Sequence, residues 1–366
     1  MVSALFSFIV WDLSPTVFEG FDRLRWYSLL FALGFIISQQ IMVYFFKKEG
    51  KDPALVDQLT IYMVLATIIG ARLGHVLFYE PAKYLSNPID ILKIWEGGLA
   101  SHGAAISLPI AIWLYCKRNQ GQRYLWVVDR IVIVVALTGV LIRMGNLMNS
   151  EIGGKDSNSD TGIVFARDAE EILSSLRVPI ESIEAYKPLD REEEIQGTGI
   201  VPVNIDLVIS KGNYTKESLE SVLSQDIKYA LTQFNSSKEF LAEPLNTPLQ
   251  LEIKEQASNY LVTVKTLGRV KYPTQIFEAV TYFLIFLLLL SLWIKHKSKL
   301  PDGLLFGLFF ILVFGSRFGW EFFKEVQVDF EQSMQLNMGQ LLSIPLVTLG
   351  LIMVIRALKK GSPKID

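Results

Sequence analysis

The feature that most constrains this chain is a series of apolar runs long enough to cross a lipid bilayer. A helix needs about 20 mostly apolar residues, at about 1.5 Å per residue, to span a hydrocarbon core about 30 Å thick. Seven runs qualify, covering residues 26–46, 61–78, 99–115, 125–148, 274–294, 303–323 and 338–358. The second and third are the weakest, because they carry arginine and histidine. The sequence therefore predicts an all-α polytopic membrane protein with seven transmembrane helices.

The basic residues that flank these runs predict an orientation. With seven spans, the lysine- and arginine-rich flanks at residues 47–51, 117–123, 295–299 and 356–364 all fall on one side of the membrane. The positive-inside rule assigns that side to the cytoplasm. We therefore expect the N-terminus to face outward and the C-terminus to face inward.

Composition excludes several other classes of protein. A net charge of −2 with no basic domain argues against nucleic-acid binding. One cysteine, Cys116, and three histidines argue against a disulfide framework and against a metal site. Residues 1–10 lack a basic start and a small-residue cleavage site, so we expect no removable signal peptide.

A polar insertion separates the fourth run from the fifth. Residues 203–209 alternate as in a half-buried strand, and residues 219–231 follow a helical period. Residues 249–254 and 261–265 have the pattern of two further strands. We expect a small α+β extracytoplasmic head over residues 154–271. The first four spans and an outward N-terminal segment would then occupy residues 1–153, and the last three spans with a short cytoplasmic tail residues 272–366.

Charged side chains recur inside five of the seven runs. Each costs at least about 2.5 to 3.5 kcal/mol at the centre of a bilayer, so each needs a partner, a wet cavity or a function. The set comprises Arg72, His75, His102, Asp129, Arg130, Arg143, Glu278, Arg317 and Glu321. Several lie toward the predicted outward ends of their spans. They predict an internal polar chamber that opens to the outer side.

The spacing of these residues separates candidates from ordinary structural charges. Arg143 has no acid three or four positions away, and a guanidinium matches phosphate oxygens bidentately, so it indicates phosphate or lipid-headgroup binding. Arg317 and Glu321 lie four apart, which leaves open an intrahelical ion pair or a functional role. For Asp129 and Arg130 we expect a membrane-interface position. His102 alone would indicate a buried histidine with a main-chain partner.

Several motifs together resemble one known family. Residues 143–154 read Arg-Met-Gly-Asn-Leu-Met-Asn-Ser-Glu-Ile-Gly-Gly, which is similar to the signature of the prolipoprotein diacylglyceryl transferase family. Further similar segments are residues 25–27, 70–79, 95–103, 272–279, 317–323 and 338–343. The chain departs from the family pattern at Ile142, Leu147, Tyr272 and Val313.

The resemblance implies an activity. The family transfers the diacylglyceryl group of phosphatidylglycerol to the lipobox cysteine of a prolipoprotein, forms a thioether and releases glycerol phosphate. This is the first step of bacterial lipoprotein maturation. The expected partners are phosphatidylglycerol, prolipoprotein signal peptides with a lipobox cysteine and the bilayer. The expected location is the bacterial inner (cytoplasmic) membrane, and no cofactor is implied.

The resemblance also suggests roles for individual residues. Arg143 and Arg317 would bind the headgroup and the leaving phosphate, and His102 is the candidate base. Cys116 falls at the cytoplasmic end of the third span, so the thiol must come from the substrate. The residues expected to bind substrate are Tyr27, Arg72, Arg143, Asn146, Asn149, Glu151, Gly154, Gln275, Glu278 and Glu321.

Two other classes of function fit some of these features. A lipid or small-anion transporter would also place arginines in a wet cavity within the membrane. It would move its substrate unaltered, so the mass of a candidate peptide distinguishes the two. A seven-helix receptor or scaffold would have no need of Arg143.

Overall fold

The protein structure, a computed structural model, describes residues 8–18, 24–191, 194–234, 239–326 and 329–361. The ends of the predicted outward N-terminal segment and of the predicted cytoplasmic tail, with the basic residue Lys364, lie outside the described residues. The helices are α1 (Trp26–Lys48), α2 (Ala54–Phe78), α3 (Pro81–Ser86), α4 (Ser101–Arg118), α5 (Tyr124–Met148), α6 (Arg167–Ser174), α7 (Lys216–Gln233), α8 (Thr274–His296), α9 (Leu304–Trp320) and α10 (Met338–Lys360). The strands are β1 (Ile9–Trp11), β2 (Ile163–Phe165), β3 (Ile180–Tyr186), β4 (Ile200–Ser210), β5 (Gln250–Glu255) and β6 (Asn259–Arg269).

Within the residues that the structure describes, five helical stretches are long and apolar enough to cross a membrane. They are α1, α2, α5, α10 and the stretch Thr274–Lys299, which begins with α8. Helix α9 is apolar but has 17 residues, and α4, with 18 residues, carries His102 at its start and two basic residues at its end. The prediction of a mostly helical polytopic protein with a small sheet insertion is confirmed. The count of seven spans and the orientation remain predictions.

The described chain divides into two compact units. The first comprises Met1–Leu29, Arg143–Phe277 and Trp320–Asn337, and the second comprises Leu30–Ile142, Glu278–Gly319 and Met338–Asp366. The first unit contains the sheets, whereas the second is helical.

The core of the first unit is an antiparallel four-stranded sheet in the order β3-β4-β6-β5. Helix α7 packs its buried side chains Leu219, Leu223 and Ile227 in the same apolar cluster as the sheet residues. A capping box starts the helix, because Thr215 Oγ1 accepts from the Ser218 N–H at 3.2 Å and Ser218 Oγ accepts from the Thr215 N–H at 2.9 Å. The strands predicted from the alternation of apolar residues, and the helix predicted from their helical period, are therefore confirmed.

Two short strands of the first unit escaped the sequence analysis. Strand β1 pairs in parallel with β2, with Ile9 opposite Ile163 and Trp11 opposite Phe165. Each strand has three residues, which is too short for an alternation to be recognised. The pairing joins the N-terminal segment to the insertion.

A pair of carboxyl groups lies beside these strands. Asp12 Oδ2 accepts from the Ala185 N–H at 2.9 Å, which ties the end of β1 to β3. The Glu170 carboxyl on α6 hydrogen-bonds to Asp12. Burial, followed by the neighbouring Asp12 carboxylate, raises the pKa of Glu170 to about 9. The pair therefore retains a proton to higher pH than a free carboxyl would, and that proton can bridge Glu170 and Asp12.

In the second unit, glycines bring α2 and α4 into main-chain contact. A methyl group on Gly103 would lie 2.1 Å from the Gly70 carbonyl oxygen and 2.7 Å from the Gly74 Cα. Gly70 and Gly74 are four apart and form a small-xxx-small surface, which lets membrane helices approach closely. The two helices therefore pack as closely as their backbones allow.

A buried ionic cluster joins other elements of the second unit. Glu49, just after α1, accepts from Arg130 Nε at 3.0 Å and Nη2 at 2.8 Å. It also accepts from the indole N–H groups of Trp126 at 2.9 Å and Trp293 at 2.6 Å. A buried guanidinium needs this degree of pairing to offset its desolvation.

The membrane-interface position that we expected for Asp129 and Arg130 stays a prediction, and the structure adds that protein encloses both residues. Both side chains are fully buried. Asp129 accepts from the N–H groups of Gly303 at 2.7 Å and Phe306 at 2.8 Å, which satisfies main-chain donors at the start of α9. These residues lie near the basic flanks in sequence, but their partners are distant in sequence and draw them inside the protein.

Candidate active site

The family-like segment of the first unit ends in a strained turn, residues 149–154. Helix α5 ends at Met148, and Ser150 and Ile152 then adopt positive φ angles of 56° and 59°. A β-branched residue such as Ile152 strongly disfavours this left-handed conformation. Such strain costs on the order of 1–3 kcal/mol per residue and persists only where surrounding contacts impose it.

Hydrogen bonds with residues 272–275, which lead into α8, hold the 149–154 turn. Gln275 Nε2 donates to the Glu151 carbonyl (2.8 Å), Thr274 Oγ1 to the Ile152 carbonyl (3.1 Å) and the Gly154 N–H to the Tyr272 carbonyl (3.1 Å). Gln275 and Thr274 are buried, so these bonds are shielded from water. The motif at residues 272–275 therefore fixes the shape of the signature motif.

Gly154 occupies a position with no room for a side chain. A methyl group there would lie 2.4 Å from the Tyr272 carbonyl oxygen and 2.9 Å from Thr274 Cγ2. Tyr272 is one of the departures from the family pattern, but its contact with Gly154 is made by its carbonyl oxygen and by its Cβ, at 2.6 Å from the added methyl, an atom that every residue except glycine has. The change of side chain therefore leaves this contact intact.

Arg143 lies in the last two turns of α5 and is oriented by an amide. Its Nη1 donates to Asn146 Oδ1 at 3.1 Å, and Asn146 is buried. An amide oxygen accepts from a guanidinium N–H and so helps to fix the orientation of the cation. Tyr27 packs on the same helix, because a methyl group on Gly145 would lie 2.9 Å from Tyr27 Cδ2.

The next two polar residues of the signature are also linked to each other. Asn149 Nδ2 donates to Glu151 Oε1 at 3.2 Å. The Glu151 N–H in turn donates to the Asn146 carbonyl at 2.9 Å. In the first unit the structure thus links Arg143 to Asn146, and Asn146 and Asn149 to Glu151, by hydrogen bonds.

Glu321 lies beyond the helix on which the sequence analysis placed it. Helix α9 ends at Trp320, and Glu321 Oε1 accepts from Lys324 Nζ at 3.0 Å, while Asn337 Nδ2 donates to Glu321 Oε2 at 3.2 Å. Both Glu321 and Lys324 are buried. Lys324 also forms an isolated β-bridge with Gly154. The sequence analysis missed Lys324, although its i, i+3 spacing from Glu321 was visible.

His102 in the second unit is the second residue of α4 and belongs to an aromatic cluster. Its ring centroid lies 5.1 Å from Phe78 and 5.7 Å from Tyr79. Tyr79 also stacks on His75, with 5.5 Å between the two ring centroids. The His102 side chain is exposed, so the alternative of a buried histidine is wrong.

Arg72 in α2 is buried, and its guanidinium is surrounded by main-chain oxygens of the loop that follows α3. Glu278, in the second turn of α8, is fully buried. Arg317 lies in the last turn of α9 and is half-buried.

The predicted site residues are thus distributed over both units. The first unit contains Tyr27, Arg143, Asn146, Asn149, Glu151, Gly154, Gln275 and Glu321. The second contains Arg72, His102, Glu278 and Arg317. Among the residues that the structure describes, no group of three or more His, Cys, Asp or Glu side chains is arranged to hold a metal ion.

The helices and the charged side chains at their ends define a multi-pass membrane protein with a polar site. Comparison with known proteins identifies the family to which it belongs. Residues 15–356 match the model of the prolipoprotein diacylglyceryl transferase family, and the chain belongs to that family.

Individual relatives agree over nearly their whole length. The phosphatidylglycerol–prolipoprotein diacylglyceryl transferase of Tolumonas auensis is 33% identical over 96% of this chain and 98% of its own length. Its counterpart in Porphyromonas gingivalis is 34% identical over 96% of each chain. The counterpart in Chloroherpeton thalassium is 30% identical over 97% of this chain and 96% of its own. The predicted family and transferase class are confirmed, and the relatives do not favour the transporter alternative.

Proposed function

We propose that this protein transfers the diacylglyceryl group of phosphatidylglycerol to the thiol of the lipobox cysteine of a prolipoprotein. The observation that supports the proposal is the signature at residues 143–154. Its end, residues 149–154, forms a strained turn that hydrogen bonds from residues 272–275 hold in place. Strain of this kind is retained where a site must be preorganised.

The reaction exchanges one bond to carbon for another. The thiol sulfur bonds to the diacylglyceryl carbon, and the bond from that carbon to the phosphate oxygen breaks. The thiol proton passes to a base, and glycerol phosphate leaves with the bonding electron pair. A thiolate is the competent nucleophile, and a free cysteine has a pKa of about 8.5, so a base assists its formation.

Positively charged side chains stabilise the leaving phosphate group. Arg143 binds the phosphate of the headgroup, held in orientation by Asn146, and Arg317 contributes the second positive charge. Fixed charges at the place where negative charge develops lower the barrier more than they would in water. His102 is the candidate base. The remaining predicted residues shape the site, namely Tyr27, Arg72, Asn149, Glu151, Gly154, Gln275, Glu278 and Glu321.

The proposed arrangement in the membrane has seven spans, with α4 and α9 added to the five long apolar stretches. The N-terminus and the 154–271 insertion face outward from a bacterial inner membrane, and the C-terminus faces the cytoplasm. Cysteines introduced at two exposed serines test this. With Cys116 replaced by serine, a membrane-impermeant maleimide should label Ser221→Cys in intact spheroplasts and Ser298→Cys only after permeabilisation. The reverse pattern would contradict the orientation.

The activity is tested with purified protein in detergent, phosphatidylglycerol and a synthetic lipobox peptide. Mass spectrometry should show one diacylglyceryl group added to the peptide, and a peptide with serine in place of cysteine should stay unmodified. Arg143→Ala should lose about 10²–10³-fold in rate, the effect of removing one stabilising donor. The matched control is Arg123→Ala, which removes an exposed arginine just before α5.

Two results would overturn the proposal. An unmodified peptide with folded wild-type protein would argue against the transferase, and equal rates for Arg143→Ala and Arg123→Ala would remove Arg143 from the site. The base is tested separately with His102→Gln, which should lose about 10²–10⁴-fold. His75→Gln, in the same aromatic cluster, is its control.

A further inference from the structure

The loop between α3 and α4, residues 87–100, is built almost without regular structure. It contains a short 3₁₀ helix, Pro88–Leu92, a 3₁₀ turn, Ile94–Glu96, and two glycines with positive φ, Gly97 at 87° and Gly98 at 72°. Main-chain carbonyls in such a loop need donors from elsewhere when they are turned away from water.

One side chain supplies those donors. Arg72 is 4% exposed, and all five N–H groups of its guanidinium are directed at loop carbonyls. Nε donates to Ile91 (2.8 Å), Nη1 to Gly97 (2.6 Å) and Gly98 (3.2 Å), and Nη2 to Asp90 (2.6 Å) and Lys93 (3.3 Å). The Tyr84 ring lies 4.9 Å from Cζ and covers one face of the cation.

We infer that Arg72 is a positioning residue that fixes the 87–100 loop and, through it, His102, instead of binding the phospholipid headgroup. The inference rests on the proposed function for the role of His102. A phosphate could bind Arg72 only by taking N–H groups from carbonyls that have already used all five. Those carbonyls would then lose their donors in a buried place, which opposes the exchange.

The end of the loop connects Arg72 to His102. The Ala100 N–H donates to the carbonyl of Ala71, the residue before Arg72, at 2.9 Å. Helix α4 starts one residue later, at Ser101, and its Gly103 lies against Gly74. The first turn of α4 is therefore attached to α2 through Ala71 before His102 and through Gly74 after it, and the 87–100 loop that Arg72 holds leads directly into that turn. His102 lies between these two attachments.

The test combines hydrogen exchange with steady-state kinetics on the full chain in detergent. In Arg72→Gln, amides of residues 87–100 should exchange faster, while those of the β4–β6 sheet stay unchanged and report a folded protein. The value of kcat should fall about 100-fold, the loss expected for a catalytic group misplaced by about 1 Å. KM for phosphatidylglycerol should change little. A raised KM with unchanged kcat and unchanged loop exchange would overturn the inference and make Arg72 a headgroup ligand.

A second variant disturbs the loop while keeping the arginine. A methyl group on Gly98 would lie 2.7 Å from Arg72 Nη1 and 2.7 Å from the His75 ring. Gly98→Ala should therefore reproduce the faster exchange and the lower kcat. Gly97→Ala is the matched control, because Gly97 also has a positive φ but has no atom within 4 Å of the added methyl. Unchanged kcat in Gly98→Ala, beside a loss in Arg72→Gln, would point to the charge of Arg72 and overturn the inference.

Two further outcomes are also decisive. If Arg72→Gln does not accumulate, Arg72→Lys replaces it, since lysine keeps the charge but has three N–H donors and should still loosen the loop. If the wild type transfers no diacylglyceryl group, the proposed function fails, yet loop exchange alone still tests whether Arg72 holds the loop. Unchanged exchange in both Arg72 variants would overturn its positioning role.

Discussion

Replacing Gly154 by alanine should abolish most of the activity through a displacement that can be worked out from the structure. The added methyl would lie 2.4 Å from the Tyr272 carbonyl oxygen, whereas ordinary contact begins at 3.4 Å, so the two main chains must separate by 3.4 − 2.4 = 1.0 Å. Gly154 has no positive φ, so the effect is steric and not conformational. The same movement pulls Thr274 and Gln275 away from the carbonyls that they hold.

Two consequences of different size follow from that displacement. Overpacking costs about 1–3 kcal/mol of stability, which leaves a folded protein. A misplacement of about 1 Å in a site costs about 100-fold in rate. Initial rates of peptide modification by mass spectrometry should therefore fall about 100-fold, with a modest drop in melting temperature.

The neighbouring glycine provides the matched control. A methyl group on Gly153 would lie 3.9 Å from its nearest neighbour, Phe165 Cε2, which is ordinary contact. Gly153→Ala should therefore keep near-normal activity. If Gly154→Ala were as active as Gly153→Ala, the close contact with Tyr272 would not set the shape of the site. Equal loss in both would indicate a need for flexibility instead.

Three further predictions concern stability, each measured by thermal unfolding or hydrogen exchange of the full chain. Because the pKa of Glu170 is raised to about 9 from 4.5, the folded state binds more protons than the unfolded state between these values, and the stability of the first unit should fall as pH rises from about 4.5 through 9. Glu170→Gln should flatten this dependence, whereas the exposed Glu171→Gln should not, and identical profiles would refute the assignment. Leu223→Ala should lower the free energy of unfolding of the head by about 2–5 kcal/mol, because Leu223 is fully buried. The control Val222→Ala should lower it by well under half as much, because Val222 is partly exposed. Equal losses would contradict the assigned packing of α7. Gly103→Ala should speed exchange in α2 and α4, and unchanged exchange would contradict their main-chain contact.

The helical part of the fold was predictable because the length of each apolar run can be counted directly in the sequence. The same holds for β4, whose alternating residues Val203, Ile205 and Leu207 indicate a strand and are all buried. The burial of Asp129 and Arg130 was not predictable, since Glu49, the partner of Arg130, lies 81 residues away.

The candidate site was predictable only in its residue types. The signature identified Arg143 and Gly154, but not the left-handed conformation of Ile152, which tertiary hydrogen bonds impose against its own preference. The hydrogen-bond partners of Arg72 could not be predicted from the sequence either. Its acceptors are main-chain carbonyls 18 to 26 residues away, and every residue type carries such a carbonyl.

The pairing of β1 with β2 has a consequence for the order of events during synthesis. Ile9 finds its partner Ile163 only after 163 − 9 = 154 further residues have been made. At about 5–20 residues per second this takes about 8–30 s, during which four long helices are also produced. For that time the first strand of the nascent chain has an open edge. Strand β1 therefore stays unpaired until the insertion has been synthesised and β2 can close the sheet.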